Sequence, residues 1–387
     1  VISQPGSPWT VFAADLDGDG DVDPISGSFD DNTVAWYAND GGSPPAFTKH
    51  EISTDTILPQ QVTAADVDND GHMDVLAAAM GDSAIWWYQN DGAGAFVKYL
   101  ISDEVPAARS VAYGDFNGDG HLDAVSGSSE VDQGNTDDGM VAWYESDGAS
   151  PPQFTKHVIS DDVPGQRSIV VADLDGDGDL DVGGCSRLDG TVAFYENTGG
   201  KKGYGGTYGG GSYGGGSYGG DTEFVKHVAS NETLSAFGIA ACDVDLDGID
   251  DMISASPQLH EIAWYKLEDD GSFTKHVIYE GANGAFRLAC GDVDGDGDYD
   301  IFSADNQGGT VGFYENLCTS PDESSSSWKK NTVTCGEEVP DFEVHVVTSI
   351  LDSPRSVALG DLDGDGFLDL LSASVDDDTV AWYQNKC

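Results

Sequence analysis

The chain has 387 residues, 70 acidic and 16 basic, for a formal charge of −54. A surface this acidic repels phosphate backbones and anionic headgroups, which excludes nucleic-acid binding and docking to membranes through a basic face. Yet 39% apolar and 10% aromatic residues are too many for a solvated, disordered chain. Asp outnumbers Glu 55 to 15 and Gly reaches 51, a composition that predicts short strands joined by tight acidic turns. No run approaches the roughly 18–20 apolar residues that span a bilayer, so membrane insertion is not expected. The start at Val1 reads as a processed mature N-terminus.

In chain order, the first acidic segment is DLDGDGDVD at 15–23, and it returns six times. The copies are DVDNDGHMD from Asp66, DFNGDGHLD from Asp115, DLDGDGDLD from Asp173, DVDLDGIDD from Asp243, DVDGDGDYD from Asp292 and DLDGDGFLD from Asp361. Their spacings of 51, 49, 58, 70, 49 and 69 residues reduce to a period near 50 once insertions are removed. In phase with them run seven Trp-Tyr or Phe-Tyr pairs: Trp36-Tyr37, Trp87-Tyr88, Trp143-Tyr144, Phe194-Tyr195, Trp264-Tyr265, Phe313-Tyr314 and Trp382-Tyr383. Strands of the type FTKHVIS (154–160) follow most of them. Each unit therefore reads as a strand entering the acidic loop, a strand leaving it, the VAWY strand and the FTKH strand, with no amphipathic helix.

Four antiparallel strands repeated seven times predict one all-β domain over 1–387, a seven-bladed β-propeller. A solenoid would need capping repeats, and the sequence contains none. The chain opens on Val1-Ile2-Ser3, the tail of an FTKHVIS strand, and ends after the seventh VAWY strand. The simplest closure uses the N-terminal segment as the outer strand of the last blade, leaving part of that edge unpaired. Such an edge either frays in solvent or accepts a strand from a partner.

The loop pattern D-x-[DN]-x-D-G-x-x-D places oxygen side chains at positions 1, 3, 5 and 9 and a turn glycine at 6, which suits one hard cation wrapped by carboxylates. The candidate metal ligands are Asp15, Asp17, Asp19 and Asp23; Asp66, Asp68, Asp70 and Asp74; Asp115, Asn117, Asp119 and Asp123; and Asp173, Asp175, Asp177 and Asp181. The remaining loops contribute Asp243, Asp245, Asp247 and Asp251; Asp292, Asp294, Asp296 and Asp300; and Asp361, Asp363, Asp365 and Asp369. Calcium fits a flexible all-oxygen loop better than magnesium, and zinc or copper would want His or Cys. About seven Ca²⁺ are expected. An EF-hand is excluded, since flanking helices and a Glu at position 12 are missing.

On these motifs the chain resembles the FG-GAP/VCBS repeats, the calcium-loop blades found in integrin α-chain head propellers and in many secreted microbial and algal proteins. The resemblance covers nearly the whole chain. It implies an extracellular, mostly non-enzymatic fold used for adhesion or sugar binding. Two departures stand out: all seven units carry the loop, and no integrin leg or tail is present, so receptor signalling is not implied.

The remaining features bear on partners. Four of the five arginines, Arg109, Arg167, Arg287 and Arg355, precede the first loop Asp by five or six residues, where other units carry Trp9, Gln60 and Phe237. They form a ring at one channel mouth, serving either to hold acidic glycan or protein carboxylates or to neutralise acidic neighbours. His50, His157, His227, His276 and His345 each sit on a different outer strand and are expected to be structural. An insertion at 199–220 is rich in Gly and carries Tyr204, Tyr208, Tyr213 and Tyr218, a candidate contact between subunits. A second, at 317–341, contains Cys318 and Cys335, expected to pair, while the pairing of Cys185, Cys242, Cys290 and Cys387 is open. Asn231 heads a glycosylation sequon. No nucleophile elbow or paired catalytic carboxylates stand apart from the repeat, so no enzyme is expected. The leading expectation is a calcium-stabilised scaffold or adhesion module, plausibly a subunit of a surface filament or cell wall; the alternative is a secreted lectin.

Overall fold

The computed structural model describes residue 2 and residues 6–129, 139–199, 222–268, 270–319, 333–334, 340 and 342–386. Its strands form seven antiparallel sheets arranged as the blades of a propeller. Blade 1 consists of Pro8–Ala14, Asp23–Ser28, Thr33–Asn39 and Phe47–Ser53, hydrogen-bonded in that order from the axis outward. Blades 2 to 6 repeat this order, beginning at Pro59–Ala65, Ala108–Gly114, Gln166–Ala172, Gly238–Cys242 and Ala285–Gly291. Blade 7 has three described strands, Pro354–Gly360, Asp369–Ser374 and Thr379–Tyr383. Two short strands in the second insertion, Cys318–Thr319 and Val333–Thr334, pair in parallel.

Burial explains the composition of each strand. The second strand of every blade, such as DVLAAA at Asp74–Ala79, is buried at every position because neighbouring blades cover both faces. Small residues let those faces approach. The fourth strand is the outermost and is mostly part-buried or exposed, as in FTKHVIS of Phe154–Ser160. The core is divided into seven clusters, one per junction between blades. The cluster between blades 7 and 1 joins Val11 to Leu362, Leu371, Ala373 and Val380, with Ile2 packed against it. The ring is thereby closed by packing. The Ile2 N–H also donates to the Val380 carbonyl at 2.8 Å; Val1 and Ser3, the rest of the expected closing strand, lie outside the described residues.

The aromatic pairs have separate duties. Six of the tyrosines are buried and Tyr383 is part-buried; in five blades the hydroxyl meets a serine on the second strand, as in Tyr37–Ser26 at 3.0 Å and Tyr144–Ser126 at 2.9 Å, while Tyr88 meets Thr56. The preceding aromatics stack on the outer-strand histidines: Trp36 on His50, Trp143 on His157 and Trp264 on His276, with ring centroids 4.5–4.8 Å apart. Three of the histidines also bond a glutamate on the third strand, through His157–Glu145, His227–Glu196 and His345–Glu315. Each histidine is thus engaged within its own blade, as the sequence suggested.

Cys242 and Cys290 form a disulfide between the innermost strands of blades 5 and 6, with Cα atoms 6.6 Å apart, and Cys185 is a buried free thiol. Cys318 is buried and engaged; its expected partner Cys335, like Cys387, lies outside the described residues. So does nearly all of the Gly/Tyr insertion, including Tyr204, Tyr208, Tyr213 and Tyr218. Among the described residues no helix is long and apolar enough to cross a membrane.

Candidate metal centres and the channel mouth

Each acidic loop joins the first and second strands of a blade and is built the same way. The first Asp caps the turn: the Asp15 carboxylate accepts from the backbone N–H of Gly18 at 2.8 Å and of Gly20 at 3.0 Å. The bond from the sixth-position glycine recurs in all seven loops. That glycine has positive φ, 98° at Gly20, which explains the residue type. The second loop residue, such as Leu16, Val67, Phe116 or Leu174, is buried in the junction with the following blade. The loop is therefore anchored in the core while its carboxylates converge.

The ninth-position aspartates do more than the spacing suggested. Asp23 is fully buried and accepts from the backbone N–H of Leu16 at 2.9 Å and of Asn39 at 2.8 Å, tying the loop to the third strand. Burial pushes the carboxyls of Asp23, Asp74 and Asp123 up to about 7, those of Asp181 and Asp300 up to about 8, and that of Asp251 up to about 9. A nearby cation would reverse this.

Carboxylate oxygens approach within 4.8 Å of one another in the sets Asp15, Asp17, Asp19; Asp66, Asp68, Asp70; Asp173, Asp175, Asp181; and Asp243, Asp245, Asp251. The third-position side chains show what such a set lacks. In Asp68, Asp245 and Asp363 one oxygen is held by the residue following the Trp-Tyr pair, respectively Gln89, Lys266 and Gln384. The other oxygen, Oδ1, is buried with no hydrogen-bond partner. Buried unpaired carboxylate oxygens are costly, and a divalent cation with oxygen ligands supplies the missing partner. The donor set fits calcium.

Two groups of residues escaped the sequence reading. The first is the position after the aromatic pair, occupied by Gln89, Glu145, Lys266 and Gln384, which bonds the third-position side chain of the loop. The second is an asparagine one residue further on. Asn39, Asn90, Asn197, Asn316 and Asn385 each donate from Nδ2 to the carbonyl of the second loop residue in the preceding blade, at 2.6–2.9 Å. Asn39 reaches Leu362 in this way and bridges the ends of the ring. Both signals are visible in the repeat as [WF]-Y-x-N.

The opposite mouth gathers the arginines. Arg109, Arg167 and Arg287 line a small cavity with Trp9, Gln60, Phe237 and Phe286. The Arg355 guanidinium lies 4.5 Å from the ring centres of both Trp9 and Phe286. The four arginines thus gather at one mouth; among the described residues no close ion pair engages any of them, and the carboxylate felt there is Asp376, by Arg355.

These features define a seven-bladed β-propeller with an acidic loop in every blade. The model of the FG-GAP-like repeat matches residues 15–77, 66–126 and 243–303, and the chain carries FG-GAP-like repeats. No curated protein matches it. Among solved structures it is similar to streptogramin B lyase, with a TM-score of 0.58 and 11% identity over 98% of this chain and 94% of that one. At that identity the likeness is one of fold.

Proposed function

We propose that this protein is an extracellular, calcium-stabilised propeller acting as a non-catalytic scaffold or adhesion module, a subunit of a surface filament or cell-wall assembly. The observation that carries the calcium reading is the set of buried, unpartnered Oδ1 atoms of Asp68, Asp245 and Asp363. Positions 1, 3, 5 and 9 of each loop hold the ion, and its charge offsets the mutual repulsion of the carboxylates. Loops of this kind in extracellular modules typically bind at about 10⁻⁴–10⁻³ M. The Cys242–Cys290 disulfide agrees with an oxidising compartment, and Asn231, which is exposed, is proposed to carry the glycan.

A non-catalytic role is supported by the engagement of the titratable side chains: loop carboxylates cap turns and latch strands, and the outer-strand histidines stack on aromatic rings. The Gly/Tyr insertion at 199–220 is the proposed subunit contact. Thermal melting in excess EDTA, followed by calcium add-back, tests the metal; an unchanged midpoint sinks it. Imaging of native material tests assembly, with filaments or ordered oligomers expected. Strong calcium-dependent sugar binding by monomers on a glycan array would replace the scaffold with a lectin.

A further inference from the structure

The channel mouth away from the acidic loops holds a concentration of positive charge with no close ion pair among the described residues. In a protein with 70 acidic residues and only 5 arginines, four arginines meet at one opening without an ion pair among the described residues. Arg287, from blade 6, reaches across the axis: its Nη1 donates to Gln61 Oε1 at 3.2 Å and to Ser168 Oγ at 3.1 Å, on blades 2 and 4. Arg109 donates to Gln60 Oε1 at 3.0 Å. Arg167 lies with its guanidinium 4.4 Å from the centre of the Phe237 ring. The Nε atoms of Arg109, Arg167 and Arg355, and Nε2 of Gln60, are buried without any hydrogen-bond partner.

Neutral oxygens and aromatic faces position these guanidiniums without cancelling their charge. Arginine does not escape by deprotonating. Burial, then the proximity of Arg109, Arg187 and Arg287, pushes the Arg167 guanidinium down to about 9. Among the described residues, Arg355 feels the carboxylate of Asp376, and Arg167 and Arg287 feel the buried thiol of Cys185. Donors left over, mutual repulsion and a small cavity between them are the complement of an oxyanion, which accepts forked N–H donors and supplies the missing charge.

We propose that this mouth is an oxyanion-binding site that takes the carboxylate or sulfate group of a small acidic ligand between Arg109, Arg167 and Arg287. Arg355, seated between Trp9 and Phe286, forms its rim. The site is independent of the calcium loops, which lie at the other end of the blades.

The test is calorimetric titration of the full chain, at fixed calcium and constant ionic strength, with sodium sulfate, D-glucuronate and N-acetylglutamate, against chloride as reference. Saturable one-site binding of at least one oxyanion is expected, and the strongest of the three identifies the source as inorganic, saccharide or peptide. Arg167→Gln should weaken it by about tenfold or more, since a hydrogen bond to a charged group is lost. Arg109→Lys keeps the charge, removes the fork and should show a smaller loss, and it stands in if the glutamine variant does not fold. Oxyanions that behave as chloride does, or binding unchanged in both variants, would overturn the proposal.

Discussion

Lys266 places its ammonium between Asp245 and Asp247, 2.8 Å from the latter, inside the carboxylate set of blade 5. The corresponding residue is Gln89 in blade 2, Glu145 in blade 3 and Gln384 in blade 7. An internal cation competes with a bound one, so blade 5 is expected to hold calcium more weakly than the other six. Lys266→Gln should raise its affinity by about tenfold, the equivalent of 1.4 kcal/mol. Calcium titration of the two proteins reads this directly; identical isotherms would show that Lys266 swings clear at no cost.

Blade 5 carries a second peculiarity. Leu246 stands at φ 61°, where blade 2 has Asn69 at φ 57° and blade 1 has Gly18 at φ 74°. A branched aliphatic side chain is strained in the left-handed region, while asparagine tolerates it. Leu246→Asn should stabilise the calcium-loaded protein by about 0.5–1 kcal/mol in urea denaturation. A loss of stability would mean that the Leu246 side chain contributes more through packing than its backbone costs.

Asn39 tests how the ring is held shut. Its Nδ2 donates to Leu362 O at 2.8 Å and to Val22 O at 3.0 Å. Asn39→Ala leaves these carbonyls without their donor and should cost about 1–3 kcal/mol. The converse change, Ser146→Asn, adds the latch at a junction that lacks it and should stabilise. Denaturant midpoints at constant slope check both.

The metal-free protein should respond to pH in an unusual direction. Buried ninth-position carboxyls are pushed from 3.8 up to about 7 in Asp74 and about 8 in Asp181 and Asp300. In the unfolded chain they ionise near 4, so the folded state binds more protons between these limits. Stability conferred below pH 4 is then lost as pH rises through 7–8. In EDTA the melting temperature should therefore fall from pH 5.5 to 8.5, and with saturating calcium it should not. A metal-free protein that gains stability over that interval would contradict the burial of these groups.

Much of the molecule could be read from its repeat. The D-x-[DN]-x-D-G-x-x-D loops and the phased aromatic pairs define seven blades of four strands because both are local signals, confined to about 50 residues. What escaped was long-range. Asn39 and Leu362 are 323 residues apart, and nothing near either names the other. The pairing of Cys242 with Cys290 follows from neighbouring inner strands, which six cysteines alone do not specify. The four arginines could be placed at one mouth from their phase, but the absence of a close ion pair to them among the described residues depends on which side chains face the axis. Nothing in the strand around Lys266 names the Asp245 carboxylate that it meets, 21 residues away.

The asparagine latches have a mechanical consequence. They tie blade 7 to 1, 1 to 2, 3 to 4, 5 to 6 and 6 to 7. Ser146 and Leu267 occupy the latch position at the two other joints and make no such bond. Under tension the propeller is therefore two arcs, one of five blades running from 5 through 7 to 2 and reinforced by the Cys242–Cys290 bridge, the other of blades 3 and 4. A ring pulled from its rim should part at the seams between those arcs.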